Sequence, residues 1–183
     1  MRPVRREEIV DYVTYDEGRA QERVRMMEVK RVRRVHMGGV LTFLFENADT
    51  ARYQIQEMMR AERMVKESDI RQEIETYNEL LGGPGELGCS LLIELDDPIE
   101  RAEKLKAWRA LPEHLYVRLP DGTRVRPTFD ERQRGDERLS SVQYLKFDTQ
   151  GKIPEAVGSD LPGLTAETLL TAEQQAALRE DLG

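Results

Sequence analysis

Five glutamates, Glu46, Glu57, Glu62, Glu73 and Glu94, are the side chains whose type and spacing come nearest to acid–base or metal chemistry in this sequence. A set centred on Glu46, Glu57 and Glu62 could hold a metal ion or exchange a proton with a small ligand, the function of a small-ligand or carboxylate metal-binding enzyme. A di-iron bundle would need Glu-x-x-His pairs, and neither His36 nor His114 stands at that spacing. Cys89 is the single cysteine, so a disulfide framework, an iron–sulfur cluster and a thiolate zinc site are excluded within one chain. A small buried core residue is expected there. No Gly-x-x-x-x-Gly-Lys-Ser/Thr loop, no Gly-x-Gly-x-x-Gly fingerprint and no Ser or Cys nucleophile with a partner base is present. No cofactor is expected, and the reading leans away from an enzyme.

Three of these glutamates lie on or beside one helix, predicted to run from about Thr50 to Glu67. At about 100° per residue, Ala51, Ile55, Met58, Met59 and Val65 share a stripe, with Glu62 near its middle. Glu62 is therefore expected to be buried, and a buried carboxylate needs a cation, several hydrogen bonds, a metal or a proton. A salt bridge to Arg31 or Arg34 is the structural alternative to a site role. Tyr53, Glu57, Arg60 and Met64 form the opposite row, flanked by Gln54 and Gln56. That mixed row suits contact with a partner protein, or packing against the helix before it.

Lys30, Arg31, Arg33 and Arg34 make a local basic cluster that could hold an anion. The formal net charge of -7 argues against general nucleic-acid binding. With 39% hydrophobic and 34% charged residues the chain is globular and highly charged. No apolar run approaches the roughly 18 residues of a membrane span, and the start lacks a signal-peptide apolar block, which predicts a cytoplasmic protein with no membrane contact.

The elements that must position these residues are legible in outline. A charged helix is predicted from about Asp16 to Arg34, with Ala20, Val24 and Met27 as its narrow apolar stripe. Two strands follow around a Gly38-Gly39 hairpin. Asn47 to Thr50 caps the glutamate-bearing helix, and a further helix starts at Ser68-Asp69, with Ile70, Ile74, Tyr77 and Leu81 on one stripe. Leu87 to Leu95 reads as a strand near the sheet centre. Asp97-Pro98 starts a helix with Ile99, Ala102, Leu105 and Trp108 inward, and Pro120-Asp121-Gly122 turns a hairpin. A mobile surface loop is expected between Asp130 and Leu139, then a last strand from Ser141 to Phe147, and a terminal helix capped at Thr171. The sum is an α+β domain over residues 1–148, with a mainly antiparallel sheet of about five or six strands, packed helices, an N-terminal helix and a helical hairpin; residues 149–183 read as an extended tail.

Arg33-Arg-Val, Gly38, Thr42-Phe-Leu-Phe-Glu-Asn47, Thr50, Tyr53-Gln-Ile-Gln-Glu-Met58, Arg60, Glu62, Tyr77-Asn78 and Leu91-Leu-Ile-Glu94 resemble an uncharacterised bacterial family, domain of unknown function number thirty-five hundred and one. The match runs from about residue 15 to residue 148, and the Phe-Glu-Asn to Arg-x-Glu block is its specific part. The resemblance implies a small cytoplasmic protein without an assigned activity. It also implies genes beside rubrerythrin and iron–sulfur oxidoreductase genes, hence a redox or oxidative-stress setting and a protein partner of those kinds. The combined expectation is a non-enzymatic accessory or interaction protein that contacts its partner through Tyr53, Glu57 and Arg60, with a homo-oligomer left open.

Overall fold

A computed structural model describes residues 1–135 and 137–183. Helix α1, Tyr12–Arg31, opens the fold, capped by the Asp11 side chain on the N–H groups of Val13 and Thr14. It leads into strands β1, Arg34–Met37, and β2, Leu41–Phe45, joined through Gly38 and Gly39 at φ 62° and 75°, a backbone that glycine adopts without Cβ strain. Helix α2, Ala48–Glu62, starts at Asn47, where Asn47 and Thr50 form a reciprocal capping box. Its left-handed end at Arg63, φ 51°, turns the chain into α3, Glu67–Asn78. Helix α2 packs between α1 and α3. A second core joins Ala51, Ile55 and Met59 of α2 to Ile70 and Ile74 of α3, with Val4, Ile9 and Leu81 beside them.

Strand β3, Glu86–Ile93, occupies the middle of a five-stranded antiparallel sheet ordered β1-β2-β3-β7-β6, with β6 at Thr128–Phe129 and β7 at Val142–Asp148. Gly88 of β3 lets the chain turn tightly over the sheet: a Cβ there would lie 1.9 Å from the Leu80 carbonyl oxygen. A second antiparallel sheet, β5-β4-β8-β9, is built from Arg124–Val125, Leu115–Arg118, Ala156–Ser159 and Ala166–Leu169. The main core lies between the sheets. Val35, Met37, Phe43, Phe45, Cys89, Leu91, Leu145 and Phe147 come from the large sheet, and Leu115, Val117 and Val157 from the small one. Helices α4, Pro98–Ala107, α5, Leu111–His114, and α6, Ala172–Leu182, close it with Leu105, Leu111 and Leu178.

The α+β class, the N-terminal helix and the antiparallel pairing agree with the sequence reading, but the strands form two sheets rather than one. Residues after Thr149 are part of the folded body: β8 pairs with β4 and β9, and Leu178 is fully buried. The α1 stripe is inverted. Val24 and Met27 are each 65% exposed, while Tyr15 and Met26 face inward. Ile99, expected inside, is exposed, while Leu105 and Trp108 reach the core as expected. In the expected surface loop, Glu131–Arg134 forms one 3-10 turn and Leu139 is buried, while Asp136 lies outside the described residues.

The last helix is locked to the first half of the chain by a buried ion pair. Arg33 donates from Nε and Nη2 to Asp181 at 2.8 and 2.9 Å, and both side chains are under 8% exposed. Removing one partner of such a pair strands a charge. Asp181→Ala is therefore expected to destabilise the protein by about 3–5 kcal/mol, whereas Arg33→Met combined with Asp181→Leu costs less than either single loss. Urea unfolding midpoints of the three variants check both statements.

Candidate functional site

The row Tyr53, Glu57, Arg60 faces α1, so the structure gives these residues partners inside the chain. Arg19 donates to Glu57 from Nε and Nη2 at 2.8 and 2.9 Å, and the Tyr15 hydroxyl donates to it at 2.6 Å. The Arg19 guanidinium, aided by the Tyr15 hydroxyl, holds the Glu57 carboxyl below its ordinary value against the opposing effect of burial. Burial and the carboxylate together push the Tyr15 phenol up. Arg60 pairs with Asp16, and Gln56 is buried with both amide atoms bonded to the backbone of Val10, at 2.8 and 3.1 Å. Gln54 is half-buried.

Glu62 is exposed, not buried. It is the last residue of α2, and the chain reverses at Arg63 beyond the reach of the apolar layer that covers Ile55 and Met59. The expected pair with Arg31 or Arg34 does not form; Arg31 instead pairs with Glu28 and Glu173. Glu46 is the buried carboxylate, 4% exposed at the end of β2, accepting from the hydroxyls of Ser90, at 2.6 Å, and Thr50. Glu46, Glu57 and Glu62 thus occupy a sheet face, a helix seam and a helix end. Among the described residues no group of three or more His, Cys, Asp or Glu side chains is placed to hold a metal ion. Cys89 is buried, and desolvation pushes its thiol well up, which suppresses the thiolate a nucleophile needs.

The basic cluster divides. Arg33 is consumed by Asp181 and by the Val29 carbonyl, and Arg31 by its two glutamates. Lys30 and Arg34 have no ion-pair partner among the described residues, and both line a cleft of about 660 Å³ between α1 and β1 with Arg23, His36, Met27 and Tyr53. Lys30 Nζ sits 5.0 Å from the centre of the Tyr53 ring. Desolvation lowers its ammonium below the ordinary value, Arg34 adds to this, and Glu46 opposes it. Arg31 and Glu28, paired with each other, also line the cleft, so Arg23, Lys30 and Arg34 leave it with an excess of positive charge in an acidic protein.

His36 was absent from the candidates drawn from sequence, and its setting comes from strand register. His36 faces Thr42 across the β1–β2 hairpin, and Thr42 faces Leu92 of β3, two residues before Glu94. Thr42 Oγ1 donates its one hydrogen to Glu94 at 2.5 Å and lies 2.7 Å from His36 Nδ1. Nδ1 must then carry the ring hydrogen, which leaves Nε2 as the open nitrogen of the neutral ring. The Gly38-Gly39 hairpin was the available signal, since that turn sets His36 opposite Thr42. His114 is also fixed, 2.8 Å from Asp160, whose carboxyl is lowered to about 2 by Arg126 first and His114 second.

Residues 3–182 match the model of the family described as protein of unknown function (DUF3501). The chain belongs to this family. It is also similar over 100% of both chains to the crystal structure of a novel protein of unknown function from Burkholderia pseudomallei, at 27% identity and a TM-score of 0.90. No curated protein matches the chain. For this DUF3501 protein, then, neither relative brings an activity, and the chemistry has to be argued from the seam and the cleft.

The Glu57 cluster predicts a pH signature. Its folded-state value is depressed, so its contribution to stability is present above the ordinary carboxylate value of about 4.3 and is lost as pH falls through the lower folded value. Glu57→Gln is expected to cost about 1.5–3 kcal/mol at neutral pH, the range for hydrogen bonds to a charged group. That difference should vanish in acid, as read by denaturant unfolding of both proteins across pH.

Proposed function

We propose that this protein is a non-enzymatic binding protein that docks a partner protein along α1. The observation that carries this reading is the outward apolar stripe of that helix: Val13, Val24 and Met27 are 55, 65 and 65% exposed, and Ala20 lies on the same line. A helix of a globular protein ordinarily turns such a stripe inward, and exposed apolar side chains gathered on one helix face suit an interaction surface. Next to it stand Arg23, Lys30 and Arg34, without acidic partners among the described residues. The surface therefore suits a segment that is apolar along one side and acidic along the adjoining side, such as an amphipathic helix laid against α1.

Tyr53 takes part through the cleft wall, whereas Glu57 and Arg60 support the face from behind by fixing α1 to α2. The gene setting implied by the family resemblance supplies partner classes, iron–sulfur oxidoreductases and rubrerythrin-type proteins. An accessory role in a cytoplasmic redox or oxidative-stress system follows from that association.

Titration of the purified protein against purified neighbours of both classes tests the proposal. Val24→Asp with Met27→Asp is expected to weaken binding at least tenfold, a loss of about 1.4 kcal/mol or more, with unfolding midpoints unchanged because both side chains are exposed. Absence of binding to either class, or equal binding by the variant, would sink the reading. So would a homodimer, seen by sedimentation, that dissociates in the same variant, because the stripe would then belong to a second copy of the chain.

A further inference from the structure

The cleft between α1 and β1 has the makings of a small-molecule site, on grounds separate from the apolar stripe. Its cations enter from two elements, Lys30 from the last turns of α1 and Arg34 from β1, and His36 joins them from β1 two residues on. Most arginines near the helices are neutralised, as Arg19 is by Glu57, Arg25 by Glu22 and Asp49, and Arg33 by Asp181. Lys30 and Arg34 are in no ion pair among the described residues, and the half-buried Lys30 side chain lies in a partly desolvated place with only the more distant Glu46 and Glu57 carboxylates acting on it. An anion would supply what is missing.

The chemistry of the three groups narrows that anion. A guanidinium offers paired N–H donors that match two oxygens of a phosphate, and an ammonium adds a compact second charge. Two formal cations suit a dianion better than a carboxylate. His36 is held in one tautomer by Thr42 and Glu94, so its Nε2 meets a ligand as an acceptor for a P–OH hydrogen, or as a donor once the ring is protonated. The volume, about 660 Å³, is in the range of small-molecule sites and far exceeds a bare phosphate. Tyr53, Met26 and Met27 line the remainder, an aromatic and thioether wall fit for an organic body.

We propose that this cleft binds a phosphate monoester of a small organic molecule, with Lys30 and Arg34 holding the phosphate, His36 contacting it through Nε2, and Tyr53 with the two methionines covering the organic part. Thr42 and Glu94 are positioning residues for His36.

Isotope-edited NMR titration of the full chain with phenyl phosphate, and separately with inorganic phosphate, tests this. Phenyl phosphate is expected to saturate and to shift His36 and Tyr53, binding about tenfold tighter than inorganic phosphate. Lys30→Met and Arg34→Gln should each weaken it tenfold or more; methionine keeps the contact with Tyr53, and Arg34 is exposed, so both variants should fold. The side-chain nitrogen shifts of His36 should report hydrogen on Nδ1 in the free protein, and Thr42→Val should release that preference and weaken binding. Linear, non-saturating shifts, affinities untouched by Lys30→Met and Arg34→Gln, or hydrogen on Nε2 would overturn the site. Equal affinity for the two probes would overturn the organic part of the ligand. Val24→Asp leaves phosphate binding intact if the site is real, which separates this outcome from that of the docking reading.

Discussion

The guanidinium of Arg33 is the point through which four elements are held together. It donates to the Val29 carbonyl of α1 and to Asp181 of α6, while the backbone carbonyl of Arg33 accepts from the Phe45 N–H at the end of β2. Asp181 in turn accepts from the Asn47 side chain, the residue that caps α2. Burying a guanidinium and a carboxylate costs several kcal/mol each in lost hydration, so the arrangement persists only because each of the three guanidinium nitrogens finds a fixed acceptor. The direction in which α1 enters β1, the start of α2 and the seat of the last helix are thereby coupled. Lys30 and Arg34, on either side of Arg33 in sequence, face the cleft because Arg33 itself is directed inward.

A second constraint follows from the first. With α1 fixed at its C-terminal end by Arg33, its other contacts are made largely by polar groups, through Arg19 and Tyr15 on Glu57 and through Asp16 on Arg60. The helix is bound to α2 by charge-assisted hydrogen bonds rather than by an apolar seam, with Tyr15 and Met26 as its buried side chains. Its apolar stripe is free to face water.

Local signals carried much of the fold. The Asn47 and Thr50 box, the Asp97-Pro98 start, the Thr171 cap and the hairpin at Gly38-Gly39 appear where their side-chain chemistry requires them, since caps and turns are satisfied within a few residues. The stripe Ile70, Ile74 and Leu81 is buried as its period predicts. Periodicity failed at Glu62 and in α1 for one reason: it reports which residues share a face and says nothing of whether that face is covered. Glu62 has the phase of Ile55 but lies where α2 has outrun its neighbours. Val24 and Met27 share a face that is left largely open to solvent.

The sequence by itself determined the α+β class, the position of most helices and strands, and the presence of a basic cluster, because these depend on propensity, caps and short-range pattern. Only the tertiary structure decided that the strands divide into two sheets and that the last 35 or so residues complete the second, since both depend on pairings between distant segments. It also sorted the basic cluster into a buried structural arginine and outward cations, and set His36 against Thr42 and Glu94. Neighbouring residues share a composition, but their roles are assigned by partners, and Asp181 and Glu94 lie far along the chain from the residues they fix.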